Sequence, residues 1–145
     1  MHEEREGGFL VSDDPARLDL ELIHSFLAGS YWSENIPLAV LEKAIRNSLC
    51  FGVYEGQRQV GFGRAVTDCA TYAYLADVFV VESHRGRGLS KLLMRAVMSH
   101  PELQGLRRWA LVTRDAHGLY QQFGFTPLSG PERHMEIHRP DAYRR

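Results

Sequence analysis

The chain has 145 residues, 44% of them hydrophobic and 24% charged, a length and balance that fit one buried core and exclude fibrous or disordered classes. Its net charge of −1 argues against a general nucleic-acid binder, and no apolar run approaches the roughly 18 residues of a membrane span. The acidic opening MHEEREGGFL has the wrong chemistry for a secretory or transit signal, so one cytoplasmic domain over residues 1–145 is expected.

Cys50 and Cys69 stand in neither CxxC nor zinc-like spacing, so two reduced thiols and no metal site are expected. Charge is unevenly spread. Residues 1–21 carry seven acids against Arg5 and Arg17, whereas residues 85–145 carry eleven Lys and Arg against five acids. That net +6 suits an anionic ligand if the charges share a face, and is otherwise a set of solvated arginines.

In chain order, GFLVS reads as a short strand. Asp13-Asp14-Pro15 then offers a cap and a first-turn proline for a helix whose Leu18, Leu22, Ile23, Phe26 and Leu27 share helical spacing, running to about Gly29. SYWSENIP is a polar, aromatic loop, and Pro37 opens a second helix with Leu38, Leu41, Ile45 and Leu49 on one stripe. The period changes next: a turn at Glu55-Gly56-Gln57 separates two strands, the second marked by Val60, Phe62, Arg64 and Val66 at alternate positions. TYAYLADVFVV, residues 71–81, is apolar on both alternations, as a central strand covered on both faces would be. It feeds HRGRGLSKLL, after which Leu89, Leu92, Leu93, Ala96 and Val97 form a helical stripe ending near Ser99-His100-Pro101. LRRWALVT reads as a strand, DAHGLYQQF as a short helix, GFTPL as a strand start and RHMEIH as a last strand. The whole is an α/β fold with the order β-α-α-β-β-β-α-β-α-β-β, and in open sheets of this kind ligands bind beyond the carboxyl ends of strands.

The turn Arg85-Gly86-Arg87-Gly88-Leu89-Ser90 admits two readings. The first amides of a helix lack partners and attract anions, and glycines let phosphate oxygens approach without a Cβ in the way. Alternatively, the glycines serve only a tight strand-to-helix connection. Neither GxxxxGK[ST] nor GxGxxG is present, which disfavours a nucleoside-triphosphate loop and a dinucleotide fold.

The segment resembles motif A of the GNAT superfamily of N-acetyltransferases, R/Q-x-x-G-x-G/A, through Arg85 and Gly88, with Ser90 replacing the last small residue. Ala116 to Phe125, AHGLYQQFGF, is similar to the same family's motif B, A-x-x-x-Y-x-x-x-G-F. Two such motifs in order and about thirty residues apart are more specific than either alone. The resemblance covers about residues 50–128 and implies a mixed, mostly antiparallel central sheet flanked by helices, with acetyl-CoA as co-substrate and no metal.

The same resemblance implies site roles. The amides of Gly86, Arg87, Gly88, Leu89, Ser90 and Lys91, with Arg85, would anchor a pyrophosphate. The backbone of Val78, Phe79 and Val80 would take the pantetheine arm and thioester where that strand parts from its neighbour, and Thr113 stands where the family often has a cofactor-touching asparagine. Tyr120 matches the tyrosine that protonates the departing thiolate; a phenol near pKa ~10 suits a thiol near ~8.5.

YLADVFV resembles the YLEDFFV stretch of diamine acetyltransferases, with Ala76 where that family has the glutamate linked to amine deprotonation. Asp77, one place later, would point to the opposite face of a regular strand; it is a proton acceptor or a hydrogen-bonded structural acid. Tyr31 and Trp32, with Glu34 nearby, hold a cation by ring faces or pack the loop. The expected acceptor is a primary amine of a small molecule or peptide, with no nucleic-acid or membrane partner and a homodimer left open. A catalytically silent acyl-CoA-binding module is the rival reading.

Overall fold

The computed structural model describes residues 1–144. Six strands make one sheet in simple chain order: β1 (Glu3–Glu6), β2 (Phe9–Ser12), β3 (Leu49–Glu55), β4 (Arg58–Thr67), β5 (Tyr72–Val80) and β6 (Arg108–Leu111). Every neighbouring pair is antiparallel except β5 and β6, which are parallel because α3 (Leu89–Ser99) carries the chain back across the sheet between them. The sheet is therefore mixed and mostly antiparallel, with helices on both faces, as the family resemblance implies.

Each face has its own core. On one, Leu92, Leu93, Met94, Ala96 and Val97 of α3 are all at most 1% exposed and pack on Val53, Val60, Ala73 and Leu75. At about 2 kcal/mol for each fully buried leucine-sized side chain, this stripe is the main fastening of α3. On the other face, Ile23 and Leu27 of α1 (Leu20–Ala28) and Leu41 of α2 (Leu38–Arg46) cover Cys50, Phe62 and Phe79. A fourth helix, α4 (His117–Gln121), is short and adds Tyr120 to the α3-side core.

Several local expectations shift. Asp14 caps only a 3-10 turn at Pro15–Arg17, and Asp19 caps α1 by accepting from the Leu22 amide at 3.1 Å. Leu49 leaves the helical stripe because Asn47 closes α2, its amide bonding back to Lys43 and Ala44; Leu49 opens β3 opposite Ala65. A strand unforeseen in EERE, β1, is held by its ladder to β2 and by ion pairing of Glu6 with Arg95 on α3. Neither GFTPL nor RHMEIH forms a strand: both run as irregular chain interrupted by Pro127, Pro131 and a 3-10 turn at Pro131–Arg133, with Met135 and Ile137 exposed.

Candidate active site

The centre of the site is a break in β5. Ala73 and Leu75 pack on the α3 side, yet Phe79, four residues beyond Leu75, packs with α1 and α2. A regular strand would put all three on one face. The parity switches at Asp77, whose backbone lies in the left-handed region at φ +58, where the register against β4 slips between Phe62 and Arg64. This β-bulge sets Asp77 on the α1/α2 face, the side that Ala76 also takes by alternation, and so reverses the orientation expected from sequence.

The two carboxylate oxygens of Asp77 have separate partners. Oδ1 accepts from the Trp32 indole Nε1–H at 3.0 Å, and Oδ2 accepts from Arg64 Nε–H at 2.9 Å. Arg64 also donates from Nη1 to Ser48 Oγ at 3.1 Å. The Asp77 side chain is 5% exposed and that of Arg64 17%, so this is a largely desolvated pair. Trp32 in turn meets Tyr31 edge-on at 5.1 Å, and the guanidinium of Arg114, in the loop after β6, lies 4.1 Å over the Tyr31 ring. The cation on that ring is thus the chain's own, while Glu34 is exposed and makes no bond to the cluster among the described residues.

Beside this cluster, β5 and β6 part. Their ladder runs from Tyr72↔Arg108 to Leu75↔Leu111 and stops, so the β6-facing edge of Ala76 to Val80 has no strand partner among the described residues. This is the stretch containing Val78, Phe79 and Val80. At its carboxyl end a 3-10 turn leads into the glycine-arginine turn, where Gly86 and Gly88 both take positive φ, +79 and +76. Gly88 is the N-cap of α3 and supplies no side chain to it. The six amides from Gly86 to Lys91 make no hydrogen bond among the described residues, the helix ladder beginning with Leu92 N–H to Gly88 O at 3.1 Å. A Cβ added at either glycine would meet nothing within 4 Å, so it is the positive φ and not a close contact that calls for glycine at these two positions. An anionic diphosphate fits such a row of donors at a helix start, with exposed Arg87 and Lys91 adding charge.

The turn is fastened at both sides. Arg85 Nε–H bonds the Val80 carbonyl at 3.1 Å, tying the turn to the end of β5 rather than leaving that nitrogen for a ligand. His84, 5% exposed, bonds Ser83 Oγ through Nδ1 and Glu55 in the β3–β4 hairpin through Nε2 at 3.0 Å. Thr113 Oγ1 accepts the Ala116 amide at 3.0 Å and so sets the entry to α4. From α4, Tyr120 is 8% exposed and packs edge-on to Phe125 at 5.9 Å; its hydroxyl has no hydrogen-bond partner among the described residues. Burial pushes its pKa above the ordinary phenol value.

Arg64, Arg114 and His84 carry contacts that the sequence did not single out. Their signals were weak: an arginine at one alternate position of an apolar strand, an arginine in a loop, and a histidine beside a motif. A groove of about 300 Å³ between Met98, Trp109, Phe125 and Leu128 shares no residue with the cluster and lies on the outer side of β6.

Comparison with known proteins agrees with this geometry. The family model for an acetyltransferase (GNAT) domain matches residues 46–127. A Gibberella zeae protein assigned as an acetyltransferase is 33% identical, covering 79% of this chain and 76% of its own. The crystal structure of a protein assigned to the GNAT family from Xanthomonas campestris is 51% identical with a TM-score of 0.93, covering 97% of this chain and 100% of that one. A Clostridium acetobutylicum acetyltransferase structure with acetyl-CoA shares the fold at a TM-score of 0.64 and 12% identity, over 90% of this chain and 94% of that one. The glycine-arginine turn, the parted strands and these relatives lead to one assignment: the chain belongs to the GNAT family of acetyltransferases.

Proposed function

We propose that the chain is a single N-acetyltransferase domain that moves the acetyl group of acetyl-CoA to a primary amine by direct attack. The observation that carries this reading is the row of unpartnered amides from Gly86 to Lys91 at the start of α3, next to the unpaired edge of β5. The acetyl-CoA present with the Clostridium acetobutylicum fold relative supports the same co-substrate. Bound there, acetyl-CoA supplies an activated carbonyl and a thiolate leaving group.

The chain's own groups supply the rest. The amides of Gly86 to Lys91 hold the diphosphate, and the free edge of Val78 to Val80 orients the pantetheine arm and polarises the thioester carbonyl. Asp77, the one buried carboxylate among the described residues, takes the ammonium proton through a lone pair that Arg64 and Trp32 leave unused. Tyr120, protonated at neutral pH as any phenol is, holds the proton that the departing thiolate needs.

The double engagement of Asp77 favours a second reading, a catalytically silent acyl-CoA-binding module in which Asp77 only braces the loop. One experiment separates the two: the purified protein is mixed with acetyl-CoA and a panel of amines, and free thiol is followed. Amine-dependent thiol release that Tyr120→Phe suppresses supports the enzyme; tight acetyl-CoA binding with no release for any amine supports the module.

A further inference from the structure

We infer that the acceptor is an amine that also carries an anionic group, and that Arg64 and Arg114 select it. This rests on the acetyltransferase reading and narrows it. Asp77 is the single buried carboxylate among the described residues, and Arg64 already neutralises it at 2.9 Å. Arg64 uses Nε on Asp77 and one hydrogen of Nη1 on Ser48, so Nη2 has no hydrogen-bond partner among the described residues. It is nevertheless not sealed in, since the only polar side-chain atom both buried and unpaired among those residues is the Tyr54 hydroxyl.

Arg114 makes no ion pair among the described residues and lies over Tyr31, at the outer end of the Trp32–Tyr31 pair that begins on Asp77. The contacts therefore run from Arg64 through Asp77, Trp32 and Tyr31 to Arg114, with a guanidinium at each end and Asp77 as the one carboxylate in the series. The remaining acids of these loops, Glu34 and Asp115, are exposed and bond to none of these groups.

That arrangement suits a ligand with an ammonium near Asp77 and an anion within reach of the free Arg64 Nη2 or of Arg114. Guanidinium groups match carboxylate and phosphate geometry through paired N–H donors. A diamine fits less well, because its second ammonium would meet the Arg114 guanidinium and find carboxylates only in the exposed, solvated Glu34 and Asp115. The local likeness of YLADVFV to diamine acetyltransferases therefore does not extend to acceptor charge.

The test is calorimetry on the full chain saturated with CoA, so that binding is read without turnover. Three matched pairs are titrated: 4-aminobutyrate against putrescine, L-phenylalanine against phenethylamine, and phosphoethanolamine against ethanolamine. At least one anionic member should bind about tenfold or more tightly than its partner, as a charge-assisted contact allows. Whether the carboxylates or the phosphate show it identifies the anion. Arg114→Gln, at an exposed residue that should leave folding intact, should cut the preference several-fold; Arg114→Lys should restore part of it. Arg64→Gln should act in the same direction. If no anionic member outbinds its partner, or if the preference survives both glutamine variants, the charge selection is wrong. The preceding CoA titration keeps the two readings apart: absence of CoA binding overturns the acetyltransferase reading, whereas CoA binding without anion preference overturns only this inference.

Discussion

Replacing Asp77 with asparagine isolates the electrostatic bond that the β5 bulge creates. Asparagine tolerates the left-handed backbone at φ +58, so the bulge survives and the change falls on the partners. Arg64 loses the acceptor at 2.9 Å on a side chain only 17% exposed, while the Trp32 indole retains an amide oxygen as acceptor. Breaking a fully buried ion pair costs about 3–5 kcal/mol, and because water still reaches Arg64 the cost here is about 2–3 kcal/mol, a Tm fall of roughly 6–12 °C for a domain this size. Thermal and urea unfolding of Asp77→Asn, Arg64→Gln and the double variant give the coupling directly. The double variant should be more stable than the sum of the single losses by about 1 kcal/mol or more. Asp77→Ala should be worse than Asp77→Asn by about 1 kcal/mol, because alanine resists positive φ. A Tm for Asp77→Asn within about 1 °C of the parent, or strict additivity in the double variant, would refute the reasoning.

Gly88→Ala meets no atom within 4 Å but must hold φ +76, so it should cost about 1–2 kcal/mol of stability and raise the acetyl-CoA Kd about tenfold by disturbing the amide row, read by unfolding and calorimetry. Tyr120→Phe should lower kcat about a hundredfold with acetyl-CoA affinity kept. A phenol carries its proton at neutral pH, and burial of Tyr120 moves its loss above the ordinary phenol value, so parent activity should show no tyrosine-derived fall below about pH 10. Burial works to raise the Asp13 pKa, but the His100 side-chain bond at 2.8 Å and the His2 amide outweigh it and hold the group below its ordinary value. Its stabilisation is therefore present above the unfolded pKa and lost as pH falls through the lower folded value, and His100→Ala should move acid unfolding to higher pH in a circular-dichroism titration.

The strands and helices with strong local periodicity were legible from sequence because the signal and the packing coincide. The α3 stripe from Leu89 to Val97 is buried at every predicted position. The glycine-arginine turn was legible for a related reason, since only glycine adopts positive φ cheaply and the motif places glycines at 86 and 88. The bulge at Asp77 was not, because alternation cannot announce its own interruption; a lone acid in an apolar strand was its only trace. Contacts between Arg64 and Asp77, Trp32 and Asp77, and Arg114 and Tyr31 span 13 to 83 positions, and no spacing rule reaches that far. The two expected C-terminal strands failed on the same ground: RHMEIH has strand-like alternation, but among the described residues no strand forms a ladder with it. EERE shows the reverse, a polar segment made into a strand by the neighbour it pairs with.

Titrating acetyl-CoA into the isotope-labelled protein and following backbone amide resonances tests whether the glycine-arginine turn and the open edge of β5 hold the co-substrate. Binding should saturate at one acetyl-CoA per chain, with the largest shifts at the amides of Gly86 to Lys91 and of Val78 to Val80. Absence of binding, or shifts confined to the groove around Trp109 and Phe125 on the outer side of β6, would contradict this placement.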